Sequence, residues 1–353
     1  MSSFHTNLKW GILGTARISR RNWSAMRESG AATLVAIASR DLAKAESFIS
    51  EMQVKSPWPV KPAAFGSYEA LLDCPEIDAV YIPIPTAVRK EWVLRAAAAG
   101  KHVLCEKPCA VSAADLREMI LACEAHGVLF MDGVVFMHDP RFARLRELID
   151  DGVTVGQVKR ITAAFTFLAD DQFARTDIRG ISGLEPTGCL GDLGWYCLRG
   201  ALWAMNWEMP VRVSGRILDS FSGDDGASAI MGFSAELDFA SGATASIYCS
   251  FLMPDQRWLS ISGTGGTLRV DDFVNPVEQC ESAWAHNDQL EPKRADLGIS
   301  NPARLFVGFA AGLNSSGPDR RWGNFSLKTQ IVQDACALSA KLGRPVALGE
   351  TTG

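Results

Sequence analysis

Between Lys9 and Met131 short apolar runs alternate with longer helical patterns, and no other feature of the chain constrains its fold as tightly. Runs that are apolar without alternation suit parallel strands covered on both faces by helices. Six strands are expected, at Trp10–Leu13, Thr33–Ala38, Ala63–Phe65, Ala79–Ile82, His102–Leu104 and Val128–Met131. Between them lie helices such as Asp41–Met52, Val88–Ala99 and Ser112–His126. Asp41 and Ser112 stand where helix N-caps belong, and Gly100 and Gly127 where a left-handed residue ends a helix. Residues 1–133 therefore read as a doubly wound parallel α/β domain of the Rossmann type.

After a short helix near Arg141–Asp150 the rhythm changes to long strand-like stretches at Gln157–Leu168, Val211–Leu218, Ala229–Phe239, Ala243–Phe251, Trp258–Gly263 and Thr267–Val270. Turn signals at Ser241-Gly242 and Gly265-Gly266 separate neighbours, as hairpins require. Residues 134–353 are expected to form an α+β domain with a large, mostly antiparallel sheet, the closing helices Asn301–Gly312 and Ser326–Leu342 being free to pack back on the first domain. In Ala243–Phe251 the residues Ala245, Ile247, Cys249 and Phe251 make a face for helices. The opposite face, with Thr244, Ser246, Tyr248 and Ser250, is small and semi-polar and suits another subunit. The segment Pro276–Asp296 carries no clear pattern.

Composition narrows the function classes. With 47% hydrophobic and 21% charged residues the 353-residue chain can bury substantial cores. A net charge of −5 and the absence of any Lys/Arg-rich run leave no footprint for nucleic acid. The polar Met1–Leu8 stretch signals no export, and no uninterrupted apolar run approaches the roughly 18 residues that read as a membrane span. Nine cysteines placed singly suit reduced thiols in the cytoplasm, and five dispersed histidines offer zinc no ligand set, so no metal is expected.

The first strand runs into Gly11-Ile12-Leu13-Gly14-Thr15-Ala16-Arg17-Ile18-Ser19 and a helix, the place where backbone N–H groups of a dinucleotide fold approach a pyrophosphate. Read as G-x-G-x-x-G it is imperfect, with Ala16 and Ser19 at the later positions. The second strand ends in Ser39-Arg40-Asp41. A hydroxyl and an arginine there suit the 2′-phosphate of NADP, whereas Asp41 would serve the ribose diol of NAD; NADP is preferred and NAD is the second choice.

The fifth strand runs into Glu106-Lys107-Pro108 at the carboxyl edge of the sheet, where such folds bind ligands. Much later, Gly188-Cys189-Leu190-Gly191-Asp192-Leu193-Gly194-Trp195-Tyr196 approaches an apolar helix, and i, i+4 spacing stacks Asp192 and Tyr196 on one face. Hydride removal from a carbinol carbon leaves a proton for a base, and Tyr196 can take it. A tyrosine titrating near 10 needs on the order of 3–4 kcal/mol of phenolate stabilisation to work at neutral pH, which a nearby ammonium such as Lys107 supplies in a dry pocket. Asp192 would accept hydrogen bonds from substrate hydroxyls.

These segments resemble the glucose–fructose oxidoreductase / inositol dehydrogenase / rhizopine catabolism (Gfo/Idh/MocA) family. The resemblance rests on Trp10-Gly11-Ile12-Leu13-Gly14, on Pro85-Thr86, on Gly100 through Glu106-Lys107-Pro108, and on Asp192 through Tyr196, and it spans nearly the whole chain. It implies Lys107 and Tyr196 as the catalytic pair beside the nicotinamide and Asp192 as a substrate contact. Tyrosine in that role is shared with a branch whose members use NADP, glucose–fructose oxidoreductase and dimeric dihydrodiol dehydrogenase. Shared wording at Tyr81-Ile82-Pro83-Ile84-Pro85-Thr86, Met131-Asp132-Gly133, Asp177-Ile178-Arg179 and Tyr248-Cys249-Ser250-Phe251 is similar to plant and bacterial oxidoreductases that name no substrate.

The implied cofactor set is Gly11, Gly14, Thr15, Ala16, Arg17, Ile18, Ser39, Arg40, Pro83, Pro85, Thr86, Glu106 and Lys107. Phe136, His138, Arg179 and Trp195 are the substrate-side candidates, against the alternatives that His138 packs under a helix begun by Arg141 and that Trp195 and Trp203 are core. The expected function is NADP-dependent hydride transfer, in either direction, with a sugar, polyol or dihydrodiol, in a homo-oligomer formed through the second sheet. Two other uses of the fold stay open: a sensor that binds NADP and sugar without turnover, and a glycosidase that uses bound nicotinamide as an internal redox aid.

Overall fold

The computed structural model describes residues 7–170, 172–222, 228–274, 283–286, 299–314 and 316–349. Residues 1–6 and most of Pro276–Asp296, with Cys280, lie outside the described residues. The chain divides into two compact units, one of Met1–Cys109, Ala114–His138 and Leu297–Ser326, the other of Ala110–Ala113, Asp139–Asp296 and Leu327–Gly353.

The first unit is built on β1 (Leu8–Leu13), α1 (Arg17–Ser29), β2 (Ala32–Ala38), α2 (Leu42–Lys55), β3 (Ala63–Phe65), α3 (Tyr68–Leu72), β4 (Ala79–Ile82), α4 (Thr86–Ala98), β5 (His102–Cys105), α5 (Ala113–Ala125) and β6 (Phe130–Asp132). All six strands are parallel, in the order β3-β2-β1-β4-β5-β6. The chain reverses its direction of growth between β1 and β4, and in such sheets ligands bind beyond the carboxyl ends of the strands at that point. The expected punctuation is present. The Asp41 carboxylate caps α2 by accepting from the Ala43 N–H, and Gly100 and Gly127 take φ of 70° and 67°.

The second unit contains α6 (Pro140–Asp150), β7 (Val158–Leu168), α7 (Phe173–Thr176), α8 (Trp195–Ala204), β8 (Pro210–Ser222), β9 (Ser228–Phe239), β10 (Thr244–Ser250), β11 (Leu252–Gly263), β12 (Thr267–Asp271) and β13 (Ala283–His286). Further on, α9 (Asn301–Ala311) and the short ladder of β14 (Leu313–Asn314) with β15 (Gly317–Pro318) belong to the first unit. The rings of Phe306 and Phe309 in α9 lie 5.3 and 4.7 Å from Trp10 of β1, and all three are fully buried. The chain then runs through α10 (Arg321–Leu342) to β16 (Val346–Ala347). The second sheet has eight strands in the order β13-β12-β11-β7-β10-β9-β8-β16. It is antiparallel except where β7 inserts beside β10 as a parallel neighbour. Ala245, Ile247, Cys249 and Phe251 face the buried side as their alternation requires. No helix among the described residues is long and apolar enough to cross a membrane.

Candidate active site

The nucleotide half begins where β1 ends. Gly14 has φ of 104°, a conformation that side chains rarely adopt, and a Cβ there would press on Ile84 Cγ2 at 3.3 Å. Its N–H donates to the Ala38 carbonyl at 2.8 Å, tying the loop to β2. Thr15 and Ala16 carry the turn, and α1 starts at Arg17 with no side-chain cap at Ala16 and no acidic residue in its first turn. An uncapped helix start of this kind offers N–H groups to an anion. Ile18 is half-buried against the core, and buried Ser19 turns its hydroxyl back toward the Gly14 carbonyl. Gly11 is glycine for another reason: a Cβ there would stand 2.6 Å from Leu71 Cδ2, so its smallness lets α3 pack on β1.

At the end of β2, Ser39 is buried, its N–H donates to the Phe65 carbonyl, and its Oγ accepts from the Asp41 N–H at 3.3 Å. One oxygen of the Asp41 carboxylate caps α2, and both Arg40 and Asp41 are exposed at this strand end. Burial raises the Tyr68 phenol above its ordinary value, against the pull of the Arg40 charge.

Beyond β4, Pro83 and Ile84 are buried, Pro85 precedes α4 and Thr86 opens it. Beyond β5 comes Glu106-Lys107-Pro108, with a cis bond before Pro108. Glu106 Oε1 accepts from Tyr81 Oη at 2.6 Å, and Oε2 accepts from the Lys107 N–H at 3.2 Å. Burial, then the Glu106 charge, pushes the Tyr81 phenol far above its ordinary range, so Tyr81 is a fixed donor to that carboxylate. Sequence reasoning missed Tyr81 and also Arg89, whose buried guanidinium donates to the carbonyls of Ile84, Glu106 and Pro108. An arginine on a helix reads from sequence as a solvated charge, and Tyr81 stood out only within the shared wording Tyr81–Thr86, with no role attached to it.

The second unit carries the other residues. Gly188 has φ of 49°, and a Cβ there would lie 2.3 Å from the Ile230 carbonyl oxygen, so the chain enters this segment against the backbone of β9. Leu190–Gly194 then forms a π-helical turn ahead of α8. Asp192 lies in this π turn and Tyr196 in the first turn of the α-helix that follows it. Tyr196 is 9% exposed, with its ring edge-on to Phe165 at 5.6 Å.

Asp192 accepts from Arg179 Nη1 at 3.3 Å, and Arg179 also grips Asp177 through two parallel bonds of 2.8 and 2.9 Å. The guanidinium carbon lies 4.7 Å from the Phe173 ring centre and 5.4 Å from that of Phe167. Burial opposes the Arg179 charge, yet the hydrogen bonds it donates to Asp177 and the charges of the two carboxylates outweigh that and raise its pKa. Burial likewise pushes the Asp177 carboxyl upward, and the Arg179 bonds reverse that to a net lowering.

The remaining substrate-side candidates pack inward. Trp195 and Phe136 are completely buried, and His138 stacks on Trp322 at 4.7 Å with an interplanar angle of 21°. Arg141 pairs with Asp139 at the start of α6, and Trp203 is a buried neighbour of Phe142.

Residues 8–134 match the GFO/IDH/MocA model described as an oxidoreductase family with an NAD-binding Rossmann fold, and residues 142–269 match the GFO/IDH/MocA C-terminal domain. The chain is 31% identical over 346 residues to D-xylose 1-dehydrogenase (NADP(+)) 2 of Haloferax volcanii, covering 97% of this chain and 100% of that one. It is 31% identical over 275 residues to the trans-1,2-dihydrobenzene-1,2-diol dehydrogenase of Mus musculus, covering 77% of each. Among solved structures, an aldose-aldose oxidoreductase from Caulobacter crescentus complexed with glycerol superposes with a TM-score of 0.79 at 24% identity, over 97% of this chain and 99% of the other. A 3-ketoreductase from Actinomadura kijaniata in complex with NADP and TDP-benzene gives 0.78 at 22% identity, over 94% and 98%. The two structural likenesses establish shared fold, and the sequence identities establish descent: the chain belongs to the GFO/IDH/MocA family of oxidoreductases.

Proposed function

We propose that this chain is an NADP-dependent dehydrogenase or reductase that moves a hydride between the nicotinamide and a carbinol or carbonyl carbon of a sugar, polyol or dihydrodiol. The observation that carries the cofactor choice is the end of β2. Exposed Arg40 offers a guanidinium to a 2′-phosphate beside the Ser39 hydroxyl, while one oxygen of the Asp41 carboxylate is committed to capping α2. The residues around the sheet edge fit such a dinucleotide: Gly14 keeps the approach open, and the start of α1 has N–H groups to give. The xylose and dihydrodiol dehydrogenases among the relatives support the substrate class.

When bound, the nicotinamide supplies hydride acceptance and donation. Tyr196 takes the proton from the carbinol oxygen in oxidation and returns it in reduction. Lys107 provides the ammonium that favours the phenolate, and Asp192 accepts from a substrate hydroxyl while Arg179 holds it in place. The pairing of Lys107 with Tyr196 rests on their motifs. Of the substrate-side candidates, Arg179 acts through Asp192, and Phe136, His138 and Trp195 support the elements from inside.

We also propose a homo-oligomer through the open face of the second sheet, in a reducing cytoplasmic compartment that suits the free thiols of the described cysteines. That face forms a groove of about 590 Å³ lined by residues such as Thr162, Ser234, Ser246, Tyr248 and Trp258. The Arg160–Glu236 pair there offers both signs of charge to a second copy related by a two-fold axis.

Tyr196→Phe and Lys107→Met test the chemistry. Each is expected to lose on the order of 100-fold or more in kcat, the usual range for a positioned acid/base, while still binding NADPH. A Tyr196→Phe enzyme with wild-type kcat would remove Tyr196 from this role.

A further inference from the structure

Arg89 stands in the first turn of α4, on a helix whose neighbouring positions Ala87 and Val88 are exposed, yet it is only 3% exposed itself. Its side chain folds back over the start of the helix. Nε and Nη2 donate to the Ile84 carbonyl at 3.1 and 2.5 Å, and Nη1 donates to the Glu106 carbonyl at 2.9 Å and, in closer contact, to that of Pro108. One cation thus gathers three carbonyls from the two loops that leave β4 and β5.

Two of those carbonyls belong to the residues immediately before and after Lys107. Nη1 alone donates to both, while Nε and Nη2 pin the plane of the guanidinium to the Ile84 carbonyl, so the rigid fork sets where Nη1 points, which an ammonium with rotatable donors on a flexible stem does not. The other contacts at this turn work in the same sense. The Lys107 N–H donates to Glu106 Oε2, Tyr81 fixes the other Glu106 oxygen, and Thr86 Oγ1 reaches the Pro108 carbonyl at 3.4 Å. Burying a cation among carbonyls is a poor source of stability. It is an effective way to set the direction in which the chain between those carbonyls projects its side chain.

We propose that Arg89 is a positioning residue for hydride transfer, fixing the direction of Lys107 by holding the carbonyls of Glu106 and Pro108 on either side of it. This rests on the reading of Lys107 as a catalytic group. Arg89 acts through Lys107, so its loss falls mainly on the chemical step, with a smaller effect on cofactor affinity through the Ile84 and Glu106 carbonyls that it also holds.

The experiment compares Arg89→Lys, Arg89→Met and Arg89→Ala with wild type and Lys107→Met in the full chain, using the sugar, polyol or dihydrodiol that wild type turns over fastest. Arg89→Met and Arg89→Ala are expected to lose about 100-fold in kcat, the effect of a misplacement near 1 Å, a fall larger than any accompanying rise in KM for the dinucleotide. Arg89→Lys should also lose kcat, because it keeps the charge and loses the fork. Methylguanidine, and not methylammonium, should restore kcat to Arg89→Ala. If Arg89→Ala does not fold, Arg89→Lys carries the test, its folding checked by NADPH binding. Wild-type kcat in a folded Arg89 variant, or a loss confined to dinucleotide KM, overturns the proposal while Lys107→Met remains inactive. A Lys107→Met enzyme with full kcat, or a wild type that turns over nothing, overturns the catalytic reading and this proposal with it.

Discussion

The guanidinium of Arg179 bridges Asp177 and Asp192, doubly bonded to the first and 3.3 Å from the second. Asp177 fixes the arginine and the arginine fixes Asp192, so a residue proposed to meet substrate is anchored by a pair that need not touch it. Arg179→Gln is expected to raise substrate KM about tenfold and to cost about 1–3 kcal/mol of stability, since it leaves two partly buried carboxylates without their donor. Steady-state kinetics and urea unfolding of the same variant check both effects.

The same triad gives an acid-side prediction. The Asp177 carboxyl is lowered in the folded chain, so its contribution is fully present above the unfolded carboxylate value and disappears as pH falls through the lowered folded one. Wild type should therefore lose stability from about pH 4 downward, and Asp177→Asn should show a shallower loss. Thermal midpoints across that range decide it.

His102 predicts a second pH limb. Its Nδ1 accepts from the Leu129 N–H at 3.0 Å, and burial lowers its pKa against the pull of Asp78. The neutral ring is the one that can accept, so this contribution is complete above about pH 6.5, the unfolded histidine value, and fades as pH falls toward the lower folded value. His102→Asn keeps an acceptor and removes the titration. Its urea midpoint should change less between pH 8 and pH 5.5, on the order of the His shift alone, than the wild-type midpoint does.

Gly11 and Gly14 should separate in their effects. Gly11→Ala drives a methyl into Leu71 and is expected to lower the melting temperature while folded protein keeps its NADPH affinity. Gly14→Ala forces an alanine to φ near 104° beside Ile84, at about 1–3 kcal/mol, and should weaken NADPH binding at least tenfold. Fluorescence titration alongside thermal unfolding distinguishes them.

Selectivity tests the β2 end directly. Arg40→Ala is expected to cut the preference for NADP over NAD by about tenfold or more, the worth of one charge-assisted phosphate contact. Asp41→Ala should cost about 1 kcal/mol through the lost cap and leave that preference unchanged.

Much of this architecture was legible in the residues. Parallel strands covered on both faces must be apolar throughout, so β1 to β5 stood out, and Asp41, Gly100 and Gly127 marked real helix ends. Where a strand exposes one face the pattern thinned. The first part of β11, with Met253, Asp255 and Gln256 exposed, carries no alternation, and only its end at Trp258–Gly263 was expected. The insertion of β7 beside β10 is a long-range pairing that no local pattern encodes. Glycines and charged motifs singled out the loops after β1, β2, β4 and β5 as the candidate site, but the π turn at Leu190–Gly194 and the inward fold of Arg89 depend on packing against residues distant in sequence.

The most direct measurement of the central claim is the near-ultraviolet band of reduced nicotinamide, followed while wild-type protein meets NADP+ and a panel of aldoses, polyols and trans-dihydrodiols, and NADPH with the matching carbonyl compounds. Substrate-dependent appearance or loss of that band, faster with NADP(H) than with NAD(H), is the predicted result. Tight NADPH binding with no change in the band for any member of the panel would contradict it, and would point instead to a binding role or to a redox step that returns its hydride to the same substrate.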